Sequence, residues 1–369
     1  MSLFTDSTEP DDVRDQRRGG RAGWLLLAVT VFGLVALALL PSPYVIERPG
    51  PVFDTLGTVS VDGEDVPLIT IPTEPTYETE GTLSLLTVTV AGNPDRLPSW
   101  FEVGAAWLDP QQSVVPADSV FPAGVSTEDR REQSRVEMEN SQQEAVAAAL
   151  RTLGEPYEST LFVVETTEGG RAEGVLEADD RILSVNGEEL RDVTALRAAI
   201  AANGTSEPAV IGIERDGRSE TVEIVPEFSE GENRVPVVGI LVAGEYEFPF
   251  EVEIELENVG GPSAGMMFAL GLIDKLTPGS LAGGAEVAGT GTIAADGSVG
   301  PIGGIVQKMY GAQDAGATVF LSPRGNCDEV VGAIPDGLDV IAVGTLDEAV
   351  LALQSVADGD DPAELPRCG

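Results

Sequence analysis

The chain has 369 residues, 62 acidic and 21 basic side chains, a net charge of −41, two cysteines and no histidine. A Ser-His-Asp triad is therefore excluded outright, no basic patch is available for nucleic acid, and the ligands for a Cys/His zinc site are missing. The length accommodates two or three domains, each with its own core.

Residues 1–21 are polar and aperiodic and read as a disordered cytoplasmic tail. Residues 24–40 form an uncharged apolar run. With residues 22 and 23 it approaches the ~20 residues that cross a bilayer. Arg14, Arg17, Arg18 and Arg21 precede it, which places the N-terminus in the cytoplasm and the later domains outside. A single-pass anchor at the cell membrane over 22–40 is the expectation. A cleaved signal peptide competes with it, because Ala36-Leu37-Ala38 has the small-residue pattern of a cleavage site; the long run through Leu40 favours the anchor.

Residues 41–153 read as a β-rich region plus a helix. Short β-like runs at 58–61, 67–71 and 83–90 alternate with Pro/Gly/Asp turns and suggest no chemistry. The stretch 127–153 predicts one helix, polar in its first half and alanine-rich in its second, as a spacer or packed on the next domain.

Within 154–228, strand 161–165 is followed by an Asp179-Asp180 turn, strand 181–185, and the tight turn Asn186-Gly187. A helix over 194–202 and a hairpin around Asp216-Gly217 complete the unit. The pattern, above all Asp-Arg-Ile-Leu-Ser-Val-Asn-Gly over 180–187, resembles a PDZ domain. The resemblance implies a groove that takes a peptide as an added strand, here along Leu161, Phe162 and Val163 and facing 194–201. No glycine-rich carboxylate loop stands before that strand.

The region 234–357 carries the candidate chemistry. Residues 251–257 alternate acidic and apolar, as in a strand with one buried face. Gly260, Gly261 and Pro262 break it, and 264–276 then reads as a buried helix. Ser263 thus sits at a helix N-terminus, where free N–H groups and the helix dipole suit an oxyanion. Taken alone, Ser263 also reads as a helix cap and Lys308 as a snorkelling surface residue; as a nucleophile, Ser263 would need a base other than histidine. The chain has only two lysines, Lys275 and Lys308. Lys308 lies on a predicted helix over 305–315 among Ile305, Val306 and Met309, where burial would lower its pKa.

Gly261-Pro262-Ser263-Ala264-Gly265, Gly289-Thr290-Gly291-Thr292-Ile293 and the stretch 297–308 resemble, in order and spacing, the proteolytic domain of Lon-type serine proteases. Residues 44–56 resemble the post-anchor region of membrane-anchored Lon-like proteins that contain a PDZ domain. The resemblance implies Ser263 as nucleophile, Lys308 as general base, and Thr290 beside the lysine, with Gly261 and Pro262 shaping the turn. It also implies rings of identical subunits. One departure is Gly260, where many Lon-type domains carry an acidic residue. No Gly-x-x-x-x-Gly-Lys-Ser/Thr occurs, so the usual ATPase module is not expected here.

The expected fold class is therefore α/β and mixed: a transmembrane helix, a β-rich region, a PDZ domain, a Lon-type α/β proteolytic domain, and an acidic disordered tail over 358–369. Cys327 and Cys368 could form one disulfide if the domain lies outside the cytosol. The expected function is an ATP-independent serine endopeptidase acting on flexible or unfolded protein and peptide substrates. It needs no cofactor or metal, and its PDZ unit recognises substrate or regulates. A membrane-bound PDZ scaffold without activity is the alternative.

Overall fold

The computed structural model describes residues 16–369 except 62, 122–126, 168, 191, 230–233, 257 and 258. In chain order the main elements begin with helix α1 (Gln16–Leu39), strands β1 (Tyr44–Asp54) and β2 (Thr82–Ala91), helix α2 (Trp100–Ala106), strand β3 (Ser113–Pro116) and helix α3 (Thr127–Leu153). Strands β4 (Glu158–Thr166) and β5 (Arg181–Val185), helix α4 (Val193–Asn203), and strands β6 (Ala209–Arg215), β7 (Arg218–Ile224) and β8 (Ile240–Glu247) come next. Helix α5 (Gly265–Leu276), strand β9 (Glu286–Gly289), helix α6 (Ile305–Asp314), strands β10 (Val319–Pro323) and β11 (Asp339–Val343) and helix α7 (Leu346–Ala357) complete the set. The chain divides into two compact units, Met1–Arg48 with Thr89–Val125, and Pro49–Val88 with Ser126–Gly369.

In the first unit, the start of β1 pairs antiparallel with β3, Tyr44 opposite Pro116. Helix α2 opens on a capping box in which the Ser99 hydroxyl accepts from the Glu102 N–H and the Glu102 carboxylate accepts from the Ser99 N–H. Helix α1 covers the apolar run. Among the described residues, no helix is long and apolar enough to cross a membrane. Of α1 itself, the side chains at 16–22, 34–36, 38 and 39 lie outside the described ones, as do residues 1–15 of the predicted tail.

The second unit contains two larger sheets and several two-stranded pairs. Strands β2, β9, β10 and β11 run parallel, with Thr82 opposite Glu286, Val287 opposite Val319, and Val319 opposite Asp339. The later half of β1 borders β2. Parallel strands covered by helices are buried on both sides and read as continuous apolar runs, and Val319, Phe320, Leu321, Val340 and Ile341 are all core residues. Helix α5 lies under this sheet with ten of its twelve residues buried. The alanine-rich half of α3, Ala145 to Leu150, packs in the same core. The polar-then-apolar change along α3 thus marks where that helix becomes internal.

This arrangement corrects three boundaries. The predicted β-rich region is not separate from the catalytic domain: strands within 49–88 and helix α3 complete its sheet and core. Local alternation does not reveal a partner so distant in the chain. Residues 240–247, expected to lie within the catalytic domain, instead join the sheet of the PDZ-like unit, whose order is β7-β6-β5-β4-β8. The tail over 358–369 is folded back on β11. The Ala342 N–H donates to the Pro366 carbonyl (2.8 Å), Arg367 pairs with Asp339 (2.7 Å), and Cys368 is disulfide-bonded to Cys327. The edge of the parallel sheet is covered by these contacts, as exposed edges in folded proteins commonly are.

The PDZ turns follow their residues. Asp179, Asn186 and Asp216 all have positive φ, and Gly187 and Gly217 complete two tight hairpin turns. Buried Asp180 receives a bidentate contact from Arg215, at 2.5 and 2.7 Å, and the guanidinium holds its carboxyl below the usual range. The expected strand 251–257 keeps its alternation of exposed and half-buried side chains through Leu256. Its paired portion is only Glu253–Ile254, because its partner Ile69–Thr70 is equally short.

Candidate active site

Helix α6 explains why a lysine points inward. Ile305, Lys308, Met309 and Ala312 are buried together, and this i, i+3, i+4, i+7 spacing is one helix face. Lys308 is 3% exposed. Its Nζ lies 2.7 Å from Ser263 Oγ and 3.0 Å from Thr290 Oγ1. Among the described residues no carboxylate pairs with it. Burial pushes its pKa down to about 8, because desolvation disfavours the ammonium and nothing compensates. Lys275, the other lysine, is only half-buried beside the Leu56 carbonyl.

Ser263 lies on the turn just before α5. Its carbonyl accepts from the Gly291 N–H (2.9 Å) and the Thr290 hydroxyl (2.9 Å). Thr290, buried just past the end of β9, thus contacts both the lysine and the serine backbone. The Gly261 N–H donates to the Ser134 carbonyl (3.1 Å), and the Ser141 hydroxyl donates to the Pro262 carbonyl (3.0 Å). Both partners belong to α3, so this helix braces the turn from behind. Gly260 is explained here: a Cβ on it would collide with Ser134 Oγ, so an acidic side chain has no room in this packing. Among the described residues, the N–H groups of Ser263 and Ala264 donate to no protein group, which leaves two donors at a helix N-terminus.

Asn326 fixes the loop ahead of α6. Its side chain accepts from the Ile302 N–H (2.9 Å) and donates to the Ile302 carbonyl (2.8 Å). Sequence reasoning missed Ser134, Ser141 and Glu144. Glu144 was detectable as the lone acid within the alanine-rich half of α3. Its carboxylate accepts from the Tyr246 hydroxyl at 3.0 Å and from the Ala295 N–H. Burial raises its pKa. Glu144→Ala strands two buried donors, a cost of about 2–4 kcal/mol; Glu144→Gln keeps part of the contact. Thermal unfolding should therefore rank wild type above the glutamine variant and that above the alanine variant, and equal midpoints would show the contacts are immaterial.

The PDZ groove is not where sequence placed it. Leu161, Phe162 and Val163 lie on β4, which is paired on both sides, with β5 and with β8. Leu161 and Val163 are core residues. No edge is open there. The outer strand is β8, supplied much later in the chain. Beside it lies α4, and between them is a cavity of about 290 Å³ lined by Val193, Leu196 and Ile200 on one side and Val238, Ile240 and Val242 on the other. Gly239, at φ 78°, turns the chain into β8. A glycine turn leading to an open edge beside a helix is the geometry of strand addition.

Two family profiles match the chain. The profile described as the Lon protease (S16) C-terminal proteolytic domain matches residues 258–355, and that of the PDZ domain matches residues 124–214. Lon protease 1 of Sorangium cellulosum is 37% identical over 113 residues, covering 29% of this chain and 14% of that protein. Lon protease 1 of Bacillus subtilis is 37% identical over 93 residues, 24% of this chain and 12% of that protein. Lon protease 2 of Herpetosiphon aurantiacus is 30% identical over 166 residues, 43% of this chain and 20% of that protein. The chain thus spans at most a fifth of the length of these relatives. The PDZ domain of the SdrC-like protein from Listeria monocytogenes, a solved structure, is 17% identical, with a TM-score of 0.21, covering 24% of this chain and 90% of that one. The chain carries the proteolytic domain of a serine peptidase together with a PDZ domain.

Proposed function

We propose that this serine-peptidase chain is an ATP-independent endopeptidase, held at the cell membrane by α1, that cleaves flexible or unfolded extracytoplasmic proteins. The observation that carries the reading is Lys308, buried without a counter-charge 2.7 Å from Ser263 Oγ. Neutral Nζ takes the hydroxyl proton as Oγ bonds to the peptide carbonyl carbon, and the carbonyl π pair moves to oxygen. The N–H groups of Ser263 and Ala264 receive that oxyanion. The ammonium returns its proton to the leaving amine as the C–N bond breaks. Water then attacks the acyl-enzyme with Lys308 again as base, releasing the acid and restoring Oγ–H. Thr290 positions the amine from the far side, and Gly261 and Pro262 shape the turn.

The Cys327–Cys368 disulfide supports an oxidising compartment. The apolar run of α1, whose described side chains from Trp24 to Phe32 are exposed, supports an anchor, and the arginines before it a cytoplasmic N-terminus. The groove between β8 and α4 suits an extended segment of substrate or regulator. Assembly into a homo-oligomer belongs to the same proposal. The test is hydrolysis of casein by the detergent-solubilised chain beside Ser263→Ala and Lys308→Ala. Both variants should lose roughly 10³-fold or more, and equal cleavage by all three proteins would overturn the reading.

A further inference from the structure

All three tryptophans of the chain, Trp24, Trp100 and Trp107, fall in the first compact unit. Trp24 stands at the start of the apolar run and is 75% exposed. Trp100 stands at its other end, where its backbone N–H donates to the Leu40 carbonyl (3.3 Å). From there α2 turns Val103 and Ala106 inward and leaves a different set outside. Trp100 is 36% exposed, Phe101 59%, Trp107 63% and Leu108 87%. The Tyr44 ring meets both tryptophans edge-on, at 5.9 and 6.5 Å, and holds them as one surface. Four large apolar side chains exposed so close together form a patch rather than the usual scatter of single ones.

We propose that Trp100, Phe101, Trp107 and Leu108 form a collar that seats in the interfacial layer of the bilayer into which α1 inserts. The inference rests on the proposed anchor. Indole and phenol rings partition to the boundary between hydrocarbon and headgroups, where an apolar body and a polar tip are both accommodated. Location selects lipid over a second copy of the chain. The patch begins at the residue bonded to the end of the apolar run, so it lies at the level where that run leaves the hydrocarbon. Trp24 to Leu40 rises about 25 Å as helix, close to the ~30 Å hydrocarbon thickness, which puts Trp24 at the opposite boundary. The acidic neighbours of the patch, Glu102 and Asp109, give anionic lipid no advantage. Seating therefore occurs on neutral phosphatidylcholine and withstands salt.

The experiment uses the full chain reconstituted in phosphatidylcholine vesicles whose acyl chains carry bromine near the headgroup or near the bilayer centre. Three variants each keep one tryptophan, the other two being replaced by phenylalanine. A fourth, Leu108→Cys labelled with an environment-sensitive dye, keeps all three tryptophans; the native cysteines are disulfide-bonded and do not compete. The chains retaining only Trp100 or only Trp107 should be quenched more by shallow than by deep bromine, with blue-shifted emission, and the dye should report an apolar surrounding. Quenching of Trp24 without quenching of Trp100, Trp107 or the dye would overturn the collar and leave the anchor standing. No quenching at any position would overturn the anchor and the collar with it. A blue shift that bromine does not quench and that grows with protein-to-lipid ratio would assign the patch to a second copy and overturn the proposal.

Discussion

Lys308→Met abolishes peptide hydrolysis and makes the folded chain harder to unfold. The two effects share a cause. At neutral pH the wild-type amine is buried without a counter-charge, and its pKa is pushed down to about 8 from an ordinary lysine value near 10.4. The unfolded chain therefore binds more protons than the folded one between about pH 8 and 10.4. Stability rises with pH through that window and carries the full burial penalty below it. The penalty is on the order of 3 kcal/mol, and methionine removes it while filling the same space. Allowing for the hydrogen bonds to Ser263 and Thr290 that go with the amine, a net gain of about 1–3 kcal/mol is expected at pH 7, read as a higher unfolding midpoint. Activity falls roughly 10⁴-fold or more. In the wild type, kcat/KM should rise about tenfold per pH unit until it levels near pH 8, as the amine loses its proton. A profile flat from about pH 5 to 9, or a methionine variant no more stable than wild type, would remove the lysine from its role.

Opening the disulfide lowers stability more than any surface substitution. Cys327 and Cys368 are 41 residues apart in the chain, and closing a loop of that length restricts the unfolded state by about 4 kcal/mol in the chain-entropy account. The native interactions that go with it are local: the Pro366 carbonyl on Ala342 and Arg367 on Asp339. Replacing both cysteines by serine should lower the unfolding midpoint and expose the edge of β11 to pairing with other chains. Cleavage at low temperature should persist, since among the described residues neither the Ser263 nor the Lys308 side chain hydrogen-bonds to the tail. An unfolding midpoint indifferent to reductant would show that the tail contributes nothing.

Ser263 and Lys308 could be paired in the sequence only through the resemblance of three spaced motifs, because a glycine-proline turn before an apolar helix and a lysine on an apolar stripe do not by themselves say that the two meet. The PDZ hairpins were legible from local residues, since Asn186-Gly187 and Asp216-Gly217 set their own turns. What failed were pairings between distant segments. Leu161, Phe162 and Val163 look like an edge strand until β8 arrives from residues 240–247 to cover them. The strand at 82–91 shows no chemistry by itself, yet it aligns β9 and hence Thr290. Helix α3 reads as a spacer or as packed on the next domain, and only its contacts through Ser134 and Ser141 reveal that it braces the turn carrying Ser263.

The PDZ fold leaves the catalytic core after α3 and returns to it after β8, and the two crossing points are partners: Glu158 stands opposite Glu247, roughly 5 Å apart at Cα. A peptide-binding module hung on two adjacent threads has little freedom to swivel, so a segment held along β8 has a restricted range of approaches to the serine. The same closeness makes the module removable. Joining residue 157 to residue 248 through a short turn would remove Tyr246, the partner of Glu144, but leave the protease strands and helices uninterrupted, and would yield an enzyme whose choice of substrate rests on the cleavage site alone.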